Sequence, residues 1–212
     1  MTVLIACVHA TPRAVGPAAA MLARRPNYRR EDILEPALLE HAEAPACGRE
    51  IFAQTLARAA AMRPTAILTT CSMYTRFLPA MRERLATPVL GVDEAMIEAA
   101  ARGGRLALVG SIANAIEQTA GLIRERAKAA GRDVQIGRTL LVAPSAGEDG
   151  AAADEAMRQI DEVAGDVDTI VIVQLSLSTL AERLAPAARG RTLTSFDTAL
   201  ARLDEIVGRA QG

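Results

Sequence analysis

The chain has 212 residues, 50% of them apolar and 23% charged, and its 24 basic side chains offset 25 acidic ones to a formal net charge of -1. That length and apolar content suffice for one sizeable core or two small lobes, and they exclude disorder over most of the chain. Balanced charge and 2% aromatic residues, with no tryptophan, argue against an electrostatic grip on nucleic acid or an acidic membrane and against stacking platforms for single strands.

The first predicted element is an apolar strand over residues 2–8. No basic segment precedes it, so no signal peptide is expected. No charge-free stretch approaches the roughly 20 residues of a membrane span, and a cytoplasmic protein is the expectation. A loop is predicted over 42–48, where Pro45 and Gly48 fall, and then a helix over 49–62. Further strands are predicted over 66–70, 89–90, 105–109, 139–142, 169–173 and 192–193, with helices over 76–85, 93–102, 113–130 and 151–163. Gly103-Gly104 precedes the mid-chain strand, and Gly147-Glu148-Asp149-Gly150 reads as an exposed turn. Strands apolar on both faces and separated by helices imply an α/β fold with parallel sheets covered on both sides.

Laid on itself with a shift of 103, the chain repeats weakly. Thr65–Thr75 falls on Asp168–Ser178, so that Cys71 meets Gln174; Val3–Ala6 falls on Leu106–Val109, and Val89-Leu90 on Thr192-Leu193. Few residues are identical, but the apolar pattern matches, which suits two similar lobes of about 100 residues each. The expected division is a first lobe of 1–96 plus 197–212 and a second of 97–196.

Parallel sheets bind ligands at the carboxyl ends of their strands, so the residues just past each strand are the candidates. They are His9, then Cys71, Ser72, Met73, Tyr74 and Thr75, then Ser111 and Asn114, then Gln174, Ser176 and Ser178. Small neutral hydrogen-bonding groups of this kind suit a carboxylate held by hydroxyls and backbone N–H groups. Cys71, at a strand end ahead of a helix, meets positive partial charge that favours its thiolate. Of the two other cysteines, Cys7 inside an apolar strand reads as core, and Cys47 as a surface residue where a helix starts. His41 reads as a solvated helix-end residue. The cysteines are odd in number and form no C-x-x-C pair, so neither a zinc ribbon nor a disulfide framework is indicated, and no metal site is expected. The chain contains no H-E-x-x-H, P-loop, G-x-G-x-x-G or G-x-S-x-G motif.

Several phrases together carry a resemblance. They are His9-Ala10-Thr11, Ile33-Leu34-Glu35 with Leu38-Leu39, Thr69-Thr70-Cys71-Ser72, Pro88-Val89-Leu90 with Glu94-Ala95-Met96, Gln174-Leu175-Ser176, and Leu193-Thr194-Ser195 with Asp197 and Ala199. In order and spacing the chain resembles the Asp/Glu/hydantoin racemase superfamily over nearly its whole length. The resemblance implies two flavodoxin-like lobes related by pseudo-symmetry, an active-site cleft between them, no cofactor, and a C-terminal helix returning to the first lobe. A homodimer is implied in the same way. The family's racemases use two cysteines, one per lobe; the first maps onto Cys71 and the second onto Gln174. The resemblance also makes Ser72, with the neighbouring N–H groups, and Ser111, Asn114 and Ser176 the holders of a small carboxylate substrate. By their place past strand ends, His9, Tyr74 and Thr75 join the substrate-binding candidates.

The amide at Gln174 cannot serve as a titratable acid or base at ordinary pH. Three outcomes follow. Another group replaces the second thiol and the protein remains a racemase or isomerase acting by cysteine proton transfer. Alternatively Cys71 works alone, as in a one-cysteine decarboxylase or a cis–trans isomerase. In the third, the site binds a small carboxylate without turning it over. Met73 and Tyr74 suggest a tighter, more apolar pocket than one built for aspartate.

Overall fold

A computed structural model describes residues 2–42, 44–148 and 150–211. Two sheets of four parallel strands account for the strands of the described residues, one in order β2-β1-β3-β4 and the other β6-β5-β7-β8. The first sheet comprises β1 (Val3–His9), β2 (Tyr28–Leu34), β3 (Ala66–Thr69) and β4 (Val89–Gly91). Helices α1 (Val15–Ala23), α2 (Ala37–Glu40), α3 (Pro45–Ala61) and α4 (Leu78–Arg82) alternate with these strands. The second comprises β5 (Gly104–Gly110), β6 (Val134–Leu141), β7 (Thr169–Ile172) and β8 (Thr192–Thr194). After β4 the chain forms α5 (Glu94–Ala100), α6 (Ala113–Ala129), α7 (Ala151–Ala164), α8 (Leu180–Arg183), α9 (Pro186–Arg189) and α10 (Ser195–Gln211). The chain divides into a first unit of 1–92 with 199–212 and a second of 93–198.

In each unit the central strands are apolar because helices cover both faces. Along β5, Leu106 and Leu108 enter a core with Met96, Ile116 and Ile123, while Ala107 and Val109 enter another with Ile160, Ile170 and Leu180. In β1, Ile5, Ala6 and Cys7 are wholly buried and Val8 almost so. Asp204, on the part of α10 that belongs to the first unit, accepts hydrogen bonds from Arg25 and from the Tyr28 hydroxyl at 2.7 Å. Partial burial raises the Asp204 pKa, but those two donors outweigh it and hold the carboxyl below its usual range. No helix of the described residues is long and apolar enough to cross a membrane.

The α/β class read from the sequence is the class observed. Its details need four corrections. Strand β2 is absent from the sequence reading, because Tyr-Arg-Arg-Glu-Asp-Ile-Leu pairs at a sheet edge and buries only Ile33. Strand β6, also at an edge, begins at Val134 rather than at 139. The loop expected over 42–48 is cut short by α3, which starts at Pro45, where the missing N–H of proline costs a helix nothing. The helix expected over 76–85 is a 3-10 segment, Ser72–Phe77, followed by the short α4. The turn expected around 147–150 follows a 3-10 segment, Pro144–Gly147, and its Asp149 lies outside the described residues.

The repeat is real in topology, with a refinement of register. Strands β3 and β7 and strands β4 and β8 correspond at the shift of 103. Strands β1 and β5 do not: Val8 pairs with Thr69 and Val109 with Ile172, so Val8 corresponds to Val109, 101 residues on. Position for position, His9 therefore corresponds to Gly110, while Cys71 still corresponds to Gln174.

Candidate active site

In the first unit β3 ends at Thr69, and the chain passes through Thr70 to Cys71, which sits ahead of the 3-10 segment with extended backbone (φ -97°, ψ 105°). Cys71 is half-buried, and its carbonyl accepts a hydrogen bond from the Tyr74 N–H at 3.2 Å. Ser72 beside it is also half-buried. Thr75 and Met73 are buried, and so is Tyr74, whose hydroxyl donates to the Leu38 carbonyl at 2.8 Å. The Tyr74 ring packs on Phe52 and Phe77, and burial raises its pKa. Gly48 is required beneath this contact, since a Cβ there would lie 2.5 Å from the Tyr74 hydroxyl oxygen. Tyr74, expected among the substrate-binding residues, thus has its hydroxyl engaged by backbone.

His9, expected to meet substrate, is instead wholly buried at the end of β1. Its Nε2 lies 3.0 Å from Asp32 Oδ1 and its Nδ1 2.9 Å from Thr70 Oγ1. Arg30 reaches the other carboxylate oxygen of Asp32 at 3.0 Å. Burial lowers the His9 pKa against the opposing pull of Asp32. A neutral ring satisfies both contacts when Nε2–H donates to Asp32 and Nδ1 accepts from the Thr70 hydroxyl. Asp32 was missed in the sequence because it lies in a charged run that gave no strand signal; its pairing opposite Cys7 places it.

Cys7, His9 and Asp32 bring a sulfur, a nitrogen and an oxygen within 4.8 Å of one another, the one such donor group among the described residues. The group does not fit a metal ion well. Burial pushes the Cys7 thiol up to about 12, so it stays protonated, and the Arg30 guanidinium already neutralises Asp32. Cys47 is exposed in the first turn of α3, and His41 caps α2 with Nδ1 3.0 Å from the Ala37 carbonyl.

In the second unit Gln174 holds the place after β7, again ahead of a 3-10 segment, Leu175–Leu177. Its Oε1 lies 2.5 Å from the Ser111 backbone nitrogen and 3.0 Å from the Ser111 hydroxyl. A backbone N–H can only donate, which fixes the amide orientation: Oε1 accepts, and the NH2 group is left to donate elsewhere. Gly110 makes room for this, since a Cβ there would lie 3.3 Å from Gln174 Oε1 and 2.7 Å from Ile116. Ser111, expected among the holders of the substrate, anchors the Gln174 amide oxygen. Asn114, in the first turn of α6, accepts from Gln118 at 3.2 Å and stays half-buried, as does Ser176. The Ser178 hydroxyl is buried without a hydrogen-bond partner.

The family model for Asp/Glu/hydantoin racemase matches residues 4–203. The chain belongs to that family. Solved structures agree in fold. Allantoin racemase from Klebsiella pneumoniae superposes with a TM-score of 0.72 at 14% identity, over 98% of this chain and 88% of that one. Maleate cis-trans isomerase from Nocardia farcinica, carrying a covalently bound succinylcysteine intermediate, gives 0.69 at 18% identity, over 98% and 94%. Glutamate racemase from Thermus thermophilus gives 0.70 at 17%, over 98% and 81%. No curated protein matches by sequence. Membership of a racemase family supports an isomerase.

Proposed function

We propose that this protein is a cofactor-independent enzyme acting on a small carboxylate or amino acid, in which Cys71 exchanges a proton with the substrate on one face, with retention of configuration at that carbon. The observation that carries this reading is the pair of corresponding strand ends, Cys71 half-buried after β3 and Gln174 after β7 with its amide pinned by Ser111. A thiol at such a place can pass between acid and base. An amide whose oxygen is already held can only offer N–H donors, which suits a substrate carboxylate or a developing enolate oxygen. Ser72, Thr75, Asn114 and Ser176 are the further candidates to hold substrate oxygens. A homodimer belongs to the same proposal.

One thiol also supports a second reading, favoured by the neutral group at Gln174. Cys71 would add to the double bond of an unsaturated dicarboxylate, the carbon–carbon single bond would rotate, and the thiolate would leave again, giving cis–trans isomerisation. The Nocardia relative's succinylcysteine shows such an adduct in that protein.

A panel of amino acids, 2-substituted carboxylates and unsaturated dicarboxylates incubated in D2O separates these readings. Loss of the α-hydrogen signal supports proton transfer. A mass increase on the Cys71 peptide with an unsaturated acid supports addition. Binding without either outcome makes the protein a carboxylate binder and ends the enzymatic proposal.

A further inference from the structure

A continuous polar chain leads to the residue before Cys71. It runs from Arg30 to Asp32, to His9, to Thr70, with successive contacts of 3.0, 3.0 and 2.9 Å. Thr70 is the residue before Cys71. Its N–H donates to the Val8 carbonyl at 3.0 Å, and its hydroxyl oxygen lies 3.2 Å from the same carbonyl. The hydroxyl thus has two acceptors within reach and one hydrogen. When the ring is neutral, the hydrogen goes to Nδ1. When the ring gains a proton, Nδ1–H donates to Thr70 Oγ1 and the hydroxyl turns to the Val8 carbonyl. Asp32, about a quarter exposed, opens the chain to solvent, while His9 is closed to it.

We propose that His9 and Asp32 are positioning residues that act through Thr70 on Cys71, coupling the protonation of a buried ring to the reactivity of the neighbouring thiol. The ring's proton changes the hydrogen-bond state of Thr70, the residue before the thiol, and it adds a positive charge beside that residue. A positive charge nearby favours the thiolate. The charged and titratable neighbours of the ring are few. Strand β2 brings Asp32 and Arg30, β1 brings Cys7, and β3 leads to Cys71. Helix α3, packed on β1, buries Phe52, Thr55, Leu56 and Ala59, and α1, packed on β2, buries Ala18, Met21 and Leu22, none of which titrates; α3 also carries Arg58, ion-paired at 2.8 Å with Glu35, whose N–H donates to the His9 carbonyl at 2.8 Å. Arg30 also donates to the Val15 carbonyl at 3.1 Å, which holds the outer end of the chain in place.

The purpose of this device rests on the reading of Cys71 as the working thiol, but its test needs no substrate. The rate of Cys71 alkylation by iodoacetamide is measured against pH by peptide mass spectrometry, with exposed Cys47 on the same molecule as the internal reference. Asp32→Asn and Thr70→Val should move the Cys71 profile by about half a pH unit or more, about threefold in rate near neutrality, while Thr70→Ser restores it and Cys47 stays put. Unmoved Cys71 profiles in both folded variants overturn the proposal. A second measurement uses the wild-type chain. The 13Cβ shift of Cys71 should show a step at the pH where the His9 ring titrates, and its absence likewise overturns the coupling. If the carboxylate panel shows no exchange while Cys71 still follows His9, the function fails and the coupling stands; the reverse pattern keeps the function and removes the coupling.

Discussion

The two sheets share a strand order, and they differ most where their third strands end. After β3 stands a thiol, with His9 below it bonded to Thr70. After β7 stands an amide, and the place of His9 is taken by Gly110. That substitution is the physical reason the two ends diverge. A ring in the first unit fills the space beside the strand end and joins it to Asp32. A hydrogen atom in the second leaves space into which the Gln174 oxygen turns, to be caught by the Ser111 N–H. One half keeps groups that can gain and lose protons; the other keeps groups that only orient. A single working thiol at Cys71 should act on one face of its substrate.

The sharpest way to break the comparison is to remove the titratable end. Cys71→Ser should lower proton exchange by about 10²–10⁴-fold, the usual contribution of a positioned acid or base. Its Tm should stay within about 2–4 °C of the parent, because a half-buried thiol-to-hydroxyl exchange is mild for a chain this size. Loss of folding in thermal denaturation would instead make Cys71 a core residue. The converse change, Gln174→Cys, gives the second sheet an acid. Polarimetry should then show racemisation that the parent lacks, by up to about 10²-fold over background. Optical activity preserved in a folded variant would mean that position 174 does not reach the reacting carbon.

Smaller effects sharpen the comparison. Gly110→Ala should destabilise by about 1–3 kcal/mol in urea unfolding, because the new methyl meets Ile116 at 2.7 Å in a packed core. A neutral result would show that Ile116 and Gln174 yield, and that the glycine does not decide the amide's place. Least in size is the pH term from His9, whose pKa burial depresses below the ordinary 6.5. Below that value the unfolded chain binds the proton and the folded one does not, so stability should be complete above about 6.5 and fall as pH drops from there toward the folded-state pKa. His9→Gln should flatten that part of the Tm–pH curve; an unchanged slope would mean that the buried ring takes its proton freely.

The fold was legible where apolar residues faced helices on both sides. Ile5, Leu68, Leu108 and Val171 lie in runs that only a covered strand explains. Strand β2 was not legible, because an edge strand keeps its charged residues and offers no alternation to read. The same blindness hid Asp32, the partner that explains His9. The signal that could have exposed it is architectural: a parallel strand at 2–8 and another at 66–70 leave room for a strand between them in sequence. The correspondence of Cys71 with Gln174 was legible because a shift set by β3 and β7 relates them. The correspondence of His9 with Gly110 was hidden, since β1 and β5 stand two residues off that shift and only sheet register reveals it. The partner of the Tyr74 hydroxyl was hidden, because its acceptor, the Leu38 carbonyl, lies on a helix turn remote in sequence.

The central claim is that Cys71 moves a proton on a single face of a small carboxylate. It is tested most directly by following one sample of the wild-type protein in D2O by 1H NMR and polarimetry together. The account expects the α-hydrogen of at least one enantiopure substrate to wash out while optical rotation holds steady. Washout accompanied by a matching loss of rotation would contradict the one-sided mechanism, and no washout with any acid would contradict proton transfer itself.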